Sequence, residues 1–134
     1  METLHLDKTD TTPHLHFDVD SLEFFIEGEC RPENVLTYFN PILTWMNRFR
    51  TWVSNLPEPV GKPLHFHFKL EYYNSSSAKF LFNIFEKLKA FQEEGIAVKM
   101  HWYYDELDED LLENGQEFEK ILGFPFQYMP QKEA

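Results

Sequence analysis

The segment 64–73 constrains the fold more than any other part of the chain, because apolar and polar side chains alternate along it. Its apolar positions are Leu64, Phe66, Phe68, Leu70 and Tyr72, and the intervening positions are His65, His67, Lys69, Glu71 and Tyr73. A repeat of two places alternate side chains on opposite faces of a β-strand. A strand covered on both faces would be apolar throughout. The pattern therefore predicts a sheet with helices on one face and a polar or partner-covered second face.

Three further segments alternate in the same way, at 14–19, 22–27 and 98–104, and a short fifth strand is predicted at 126–129. The polar turn at 18–21 predicts an antiparallel hairpin between the first two strands. The later strands are separated by segments whose apolar residues recur every three or four positions, which is the period of a helix. Helical crossovers imply parallel pairing with right-handed connections.

Three helices are predicted, at about 35–53, 75–94 and 108–122. Pro41 lies inside the first helix and is expected to kink or divide it. Gly115 lies in the third, where it should weaken the helix by roughly 1 kcal/mol relative to Ala. The order β-β-α-β-α-β-α-β predicts the α/β class: a small two-layer sandwich with a mixed four- to five-stranded sheet and helices mainly on one face.

Length and charge limit the organisation and the partners. The 134 residues suffice for one domain, predicted at 12–129 between a flexible N-terminus (1–11) and a C-terminal tail (130–134). The net charge of −11 argues against binding to nucleic acid or to an anionic membrane. Residues 101–134 hold 9 of the 23 acids and only 2 of the 12 bases. This acidic end is either a docking surface for a basic partner or, as we favour, a solvated helix.

The chain is predicted to be cytoplasmic, because it shows neither a signal peptide at its start nor an apolar run long enough to span a bilayer. Its single cysteine, Cys30, rules out an internal disulfide and a cysteine-based zinc site. No glycine-rich phosphate loop is present, and no cofactor is predicted.

Two pairs of histidines are the first candidate for chemistry. His14 and His16, like His65 and His67, lie two residues apart and therefore share a strand face. Four imidazoles could meet at a metal if the two strands were neighbours. The simpler interpretation is that they alternate on the solvent face. A small metal- or serine-dependent enzyme that uses this face is the alternative function to the one developed below.

The second candidate is the junction 70–79, where a strand runs directly into a helix. Asn74 is a good N-cap, and serines are tolerated in a first turn whose N–H groups need partners. Three serines in succession exceed what one cap requires. A hydroxyl at the first helical position would be exposed at the end of a strand, where the helix dipole favours a phosphate. This junction is therefore either a plain helix start or a phosphorylation switch.

A set of short motifs occurs in a characteristic order along the chain: Thr12-Pro-His-Leu-His-Phe-Asp18, Pro32-Glu-Asn34, Leu70-Glu-Tyr-Tyr-Asn-Ser-Ser-Ser77, Trp102-Tyr-Tyr-Asp105 and Phe124-Pro-Phe126. Together they resemble the SiaC family of bacterial regulatory phosphoproteins, from about Thr12 to Tyr128. The resemblance implies a STAS-like fold, as in anti-sigma-factor antagonists, and a signalling adaptor rather than an enzyme.

The resemblance also implies a mechanism and a site. A serine/threonine kinase of the histidine-kinase-like ATPase fold would phosphorylate the protein and a PPM-type phosphatase would reverse this. The unphosphorylated form would bind and activate an effector, expected to be a diguanylate cyclase in cyclic di-GMP and biofilm regulation. The phosphoacceptor of the family follows the Asn of the N-[ST]-S-S motif, which is Ser75 here, with Ser76 as the rival. The surface that the partners would read comprises Glu71, Tyr73, Asn74, Ser76 and Lys79.

Overall fold

The computed structural model describes residues 1–132, which form six strands and three helices. Within this range no helix is both long and apolar enough to cross a membrane. The elements in chain order are β1 (Leu4–Leu6), β2 (His14–Asp18), β3 (Glu23–Cys30), α1 (Val35–Ser54), β4 (Leu64–Tyr73), α2 (Ser75–Glu93), β5 (Val98–Asp105), α3 (Glu109–Leu122) and β6 (Phe126–Gln131). The predicted α/β class and the order from β2 to β6 are confirmed.

The sheet contains its six strands in the order in which they occur along the chain. β1, β2 and β3 pair antiparallel, whereas β3, β4, β5 and β6 pair parallel. The sheet is mixed as predicted, but it has six strands rather than four or five, and its topology differs in detail from the expected STAS-like arrangement.

The additional strand is β1, in the segment 1–11 that was predicted to be flexible. Leu4 and Leu6 pair with Phe17 and Leu15 of β2 and pack against the core. Three residues are too short for an alternating pattern to stand out, so the prediction failed there. β6 likewise extends to Gln131, inside the predicted tail, of which residues 133–134 lie outside the described part of the chain.

The core lies between one face of the sheet and the three helices, and it consists largely of aromatic rings. Phe24 and Phe66 of neighbouring strands stack with their centroids 4.3 Å apart. Trp102 is almost fully buried, and its Nε1–H donates to the Leu111 carbonyl at 3.0 Å. α3 crosses this indole at Gly115, where a Cβ would lie only 2.6 Å from Trp102 Nε1. Gly115 therefore allows helix and ring to approach closely.

Pro41 does not divide α1, which runs unbroken through 20 residues. Proline lacks an N–H and so removes one hydrogen bond from the helix interior, to the carbonyl of Thr37. Phe39, two residues before it, and Ile42, directly after it, are buried against the core. Tertiary packing therefore holds the helix together across the proline.

Candidate functional site

The predicted switch lies at the junction of β4 and α2. Asn74 is the N-cap of α2: it has an extended backbone, and its side-chain Oδ1 accepts a hydrogen bond from the Ser77 N–H at 3.0 Å. The Asn74 N–H in turn donates to the Cys30 carbonyl at the end of β3, at 3.2 Å. α2 consequently begins at Ser75, which is the first helical position.

The three serines that follow occupy different environments. Ser75 and Ser76 are exposed, whereas Ser77 is fully buried. The Ser76 hydroxyl donates to Asn74 Oδ1 at 3.2 Å. The Ser75 hydroxyl makes no hydrogen bond within the described residues, so it is the more available of the two exposed acceptors. Ser77 could be modified only if the start of the helix opened.

The other residues predicted to contact the partner proteins differ in accessibility. Glu71 and Lys79 are exposed, and Asn74 is half-buried and serves as the cap. Tyr73 is also half-buried: its ring packs near Trp102 and Phe118, with centroids 6.3 and 6.0 Å away. Burial raises the Tyr73 pKa to about 12. The ring of Tyr73 therefore belongs largely to the core.

Sequence reasoning missed two features of this junction. Tyr72 is 52% exposed, because β4 gains an extra residue opposite the Gly28/Glu29 step and the strict alternation ends there. Ser77 is a core residue, and its hydroxyl has no hydrogen-bond partner within residues 1–132. The signal for Ser77 was present in the sequence, since it lies four and seven residues before the buried Leu81 and Ile84.

The junction belongs to a larger edge of the molecule. Because β3, β4 and β5 are parallel, their C-terminal ends and the beginnings of α1, α2 and α3 lie together, and we call this the carboxyl edge. Three large apolar side chains remain more than half exposed there: Leu36 at 56%, Tyr72 at 52% and Leu107 at 76%. Three such side chains at one edge make that edge a candidate interaction surface.

Acidic side chains accompany them at the start of α3. Asp108 is the N-cap, accepting from the Leu111 N–H at 3.0 Å, and Glu109 and Asp110 occupy the first turn. Carboxylates at a helix N-terminus are stabilised by the helix dipole. These three carboxylates are thus accounted for by the start of α3, and they make that part of the carboxyl edge negative.

The second face of the sheet, which we call the open face, carries all six histidines of the chain. His67 lies between Glu23 and Tyr103, with Nε2 3.1 Å from Glu23 Oε2 and Nδ1 2.9 Å from the Tyr103 hydroxyl. Since a carboxylate only accepts, Nε2–H donates to Glu23 and Nδ1 accepts from Tyr103. His65 Nδ1 and His101 Nε2 are 2.9 Å apart.

The histidine pairs do not form the metal site considered above. β3 separates β2 from β4, so the pairs His14/His16 and His65/His67 are not on neighbouring strands. In the described part of the chain, no group of three or more histidine, cysteine or acidic side chains is arranged to hold a metal ion. Burial, followed by the charges of His67 and His65, lowers the His101 pKa to about 4. The His101 imidazole is therefore a neutral, packed side chain near pH 7.

A family model described as the SiaC family regulatory phosphoprotein matches residues 6–131. The chain belongs to the SiaC family. A curated relative, an uncharacterized protein of Pseudomonas aeruginosa (strain UCBPP-PA14), is 29% identical over 126 residues, 94% of each chain.

Solved SiaC structures share the fold. The crystal structure of apo-SiaC from Pseudomonas aeruginosa aligns with a TM-score of 0.80 at 28% identity, covering 96% of this chain and 99% of the other. SiaC in complex with the diguanylate cyclase SiaD, of which it is the activator, aligns with a TM-score of 0.83 at the same identity and coverage. The resemblance in the ordered motifs is therefore confirmed.

Membership of the SiaC family also decides between the two functional classes. The chain is a regulatory protein and not an enzyme. The alternative of a metal- or serine-dependent enzyme on the histidine-rich face is therefore wrong. The histidines of the open face instead hydrogen-bond and stack with one another. The rings of His67 and His101, for example, stack with their centroids 4.6 Å apart.

Proposed function

We propose that this protein is a cytoplasmic signalling adaptor that binds and activates a diguanylate cyclase, and that phosphorylation of Ser75 switches this binding off. A serine/threonine kinase of the histidine-kinase-like ATPase fold adds the phosphate and a PPM-type phosphatase removes it. The observation that carries the proposal is the exposed, unbonded hydroxyl of Ser75 at the first position of α2. The SiaC–SiaD complex supports the choice of effector.

The position of Ser75 allows a phosphate without damage to the fold. A phosphoserine adds a charge of about −1.5 to −2 at pH 7. At the first helical position this charge meets unpaired backbone N–H groups and the positive end of the helix dipole. The hydroxyl points away from the core, since Ser75 is exposed. The phosphorylated protein should therefore stay folded, and the modification acts on the surface.

The surroundings of Ser75 explain why a phosphate would release the effector. Tyr72, with Leu36 and Leu107 along the same edge, supplies the apolar area for docking. An effector that covers this area must take the start of α2 out of water. A dianion there would be desolvated on binding, and it would add to the negative charge of Glu71 and of the start of α3. Docking is then lost while the fold is retained.

The first experiment identifies the acceptor. The protein is incubated with ATP and the kinase of this class from the same genome, and intact-mass and peptide mass spectrometry follow. We expect one phosphate on the peptide containing Ser75 and its loss in Ser75→Ala, with Ser76→Ala still modified. Modification that persists in Ser75→Ala and disappears in Ser76→Ala would move the switch to Ser76.

The second experiment tests the consequence. Binding to the diguanylate cyclase from the same genome, and the rate of cyclic di-GMP synthesis, are measured for Ser75→Ala, Ser75→Glu and Ser75→Gln. Ser75→Gln is the matched control, because it has the size of glutamate without the charge. We expect Ser75→Glu alone to lose binding while its thermal unfolding matches that of Ser75→Gln. Equal binding of the Glu and Ala variants would contradict the proposed switch.

A further inference from the structure

Two exposed histidines face each other across the first two strands of the sheet. His5 of β1 and His16 of β2 are register partners on the open face, and their Nδ1 atoms are 3.1 Å apart. Solvent reaches both side chains, which are 49% and 38% exposed. His65 and His101 also bring two nitrogens together, at 2.9 Å, but His101 is almost fully buried. The pair on β1 and β2 is therefore the one that a ligand from solution can reach.

Each imidazole of this pair turns its other nitrogen toward a carboxylate. His5 Nε2 lies 2.9 Å from Asp7 Oδ1. His16 Nε2 lies 4.0 Å from Asp18 Oδ2. The other oxygen of Asp18 accepts from the Asp20 N–H at 2.9 Å, which orients this carboxylate. Because a carboxylate only accepts, the nitrogen that faces it is the one that carries the proton.

This arrangement leaves the two Nδ1 atoms without a proton between them. In a neutral imidazole one nitrogen carries a proton and the other carries a lone pair. When both protons face the carboxylates, two lone pairs meet at 3.1 Å. In the protein alone, one imidazole must turn its proton away from its aspartate or take up a second proton. A cation between the two Nδ1 atoms would instead accept both lone pairs and leave both Nε2–H groups facing their carboxylates.

The spacing of the two nitrogens fits a divalent transition-metal ion. An ion with bonds of about 2.0–2.1 Å to two imidazoles places their nitrogens about 3.0–3.4 Å apart in octahedral or tetrahedral geometry. The observed 3.1 Å lies in this range. Histidines that bind metals also donate their second N–H to a carboxylate, which orients the ring and makes it a stronger ligand. The pair thus has both the ligand spacing and the outer carboxylates of a metal site.

We propose that His5 and His16 bind a divalent metal ion of the Zn²⁺ type through their Nδ1 atoms, with water in the remaining positions. Imidazole favours such ions over Mg²⁺ and Ca²⁺, which take oxygen ligands. Two protein ligands are fewer than a resident zinc ion has, and within residues 1–132 no larger group is arranged to hold a metal. The ion is therefore exchanged with the solution. Because its ligands lie on different strands, it fastens the three-residue β1 to β2.

Zn²⁺ is the probe, titrated from about 1 µM to about 1 mM into the ¹⁵N-labelled protein without a histidine tag, in a buffer that does not bind zinc. We expect saturable binding of one ion per chain, with amide shifts centred on His5 and His16. The imidazole ¹⁵N signals should show Nδ1 ligated and Nε2 protonated. Exchange of the amide hydrogens that join β1 and β2 should slow by up to about tenfold when zinc is at ten times its dissociation constant. Mg²⁺ should cause neither change.

His5→Gln and His16→Gln should each weaken zinc binding by at least about tenfold, since each leaves a single imidazole. Both positions are exposed, and the second variant tests the site if the first loosens β1. His65→Gln is the matched control, because it breaks the other close histidine pair, and it should bind zinc as the unchanged protein does. Failure to saturate, shifts centred on His65 and His101, ligation through Nε2, or unchanged affinity in the first two variants would each overturn the proposal. The assay needs neither kinase nor cyclase, so its result is independent of the Ser75 switch.

Discussion

Replacing Gly115 by alanine sets helix propensity against packing. In an ordinary helix interior this change stabilises by about 1 kcal/mol. Here the new Cβ would lie 2.6 Å from Trp102 Nε1 and 2.7 Å from Cδ1, and the indole is held among aromatic rings and by its hydrogen bond to Leu111. Overpacking of this kind costs about 1–3 kcal/mol, and the hydrogen bond adds about 1 kcal/mol if the ring moves. We expect a net destabilisation of about 1–3 kcal/mol.

Equilibrium urea unfolding followed by tryptophan fluorescence measures this difference. Gln116→Gly, at the next and exposed position, is the control: it should destabilise α3 by about 1 kcal/mol through propensity alone. Gly115→Ala removes a glycine and Gln116→Gly introduces one, yet both should lower the free energy of unfolding. Trp102→Phe should reduce the effect of Gly115→Ala, because the smaller ring leaves space for the methyl group. If Gly115→Ala raises the free energy of unfolding, the close approach of helix and indole is not what requires glycine.

Two further predictions concern buried polar groups. Ser77→Ala removes a buried hydroxyl that lacks a hydrogen-bond partner within residues 1–132, so it should raise the free energy of unfolding by about 0.5–1 kcal/mol in a urea titration. Ser76→Ala, the control, should leave the free energy of unfolding nearly unchanged. A clear loss of stability in Ser77→Ala would show that the Ser77 hydroxyl does have a partner. The pKa of His101, about 4 when folded and 6.5 ordinarily, means that the unfolded chain binds its proton more readily, so stability falls as the pH drops from 6.5 toward 4. After solvent screening, this loss amounts to about 1–2 kcal/mol. Urea unfolding at several pH values should show that the free energy of unfolding depends less steeply on pH in His101→Gln. Equal pH dependence in the two proteins would refute the lowered pKa of His101.

The sequence predicted the regular parts of the fold because burial on one face imposes a visible period. β2 to β5 and the three helices follow from alternation and helical spacing, and Asn74 correctly predicted where α2 begins. β1 was missed because three residues show no period. Pro41 was expected to kink or divide α1, but the helix is continuous, because the core contacts of nearby residues outweigh the low helix propensity of proline.

The candidate site was predictable in its place but not in its detail. The motifs around Ser75 located the junction, whereas the burial of Ser77 and Tyr73 depends on which way α2 and β4 face the core. The role of Gly115 depends on a contact with Trp102, 13 positions away in the chain, and helix propensity alone suggested the opposite sign. The burial of Ser77 and Tyr73 and the need for glycine at position 115 depend on contacts between elements, which a local sequence pattern does not show.

The strand order has a practical consequence for the two ends of the chain. Because β1 and β6 form opposite edges of a six-stranded sheet, five spacings separate them, which is about 24 Å. Fusion partners or dyes attached near Leu4 and Gln131 would therefore stay apart, and the transfer efficiency between two dyes would report whether β1 remains docked. Joining the two ends in a circular permutant would need a linker of about seven extended residues.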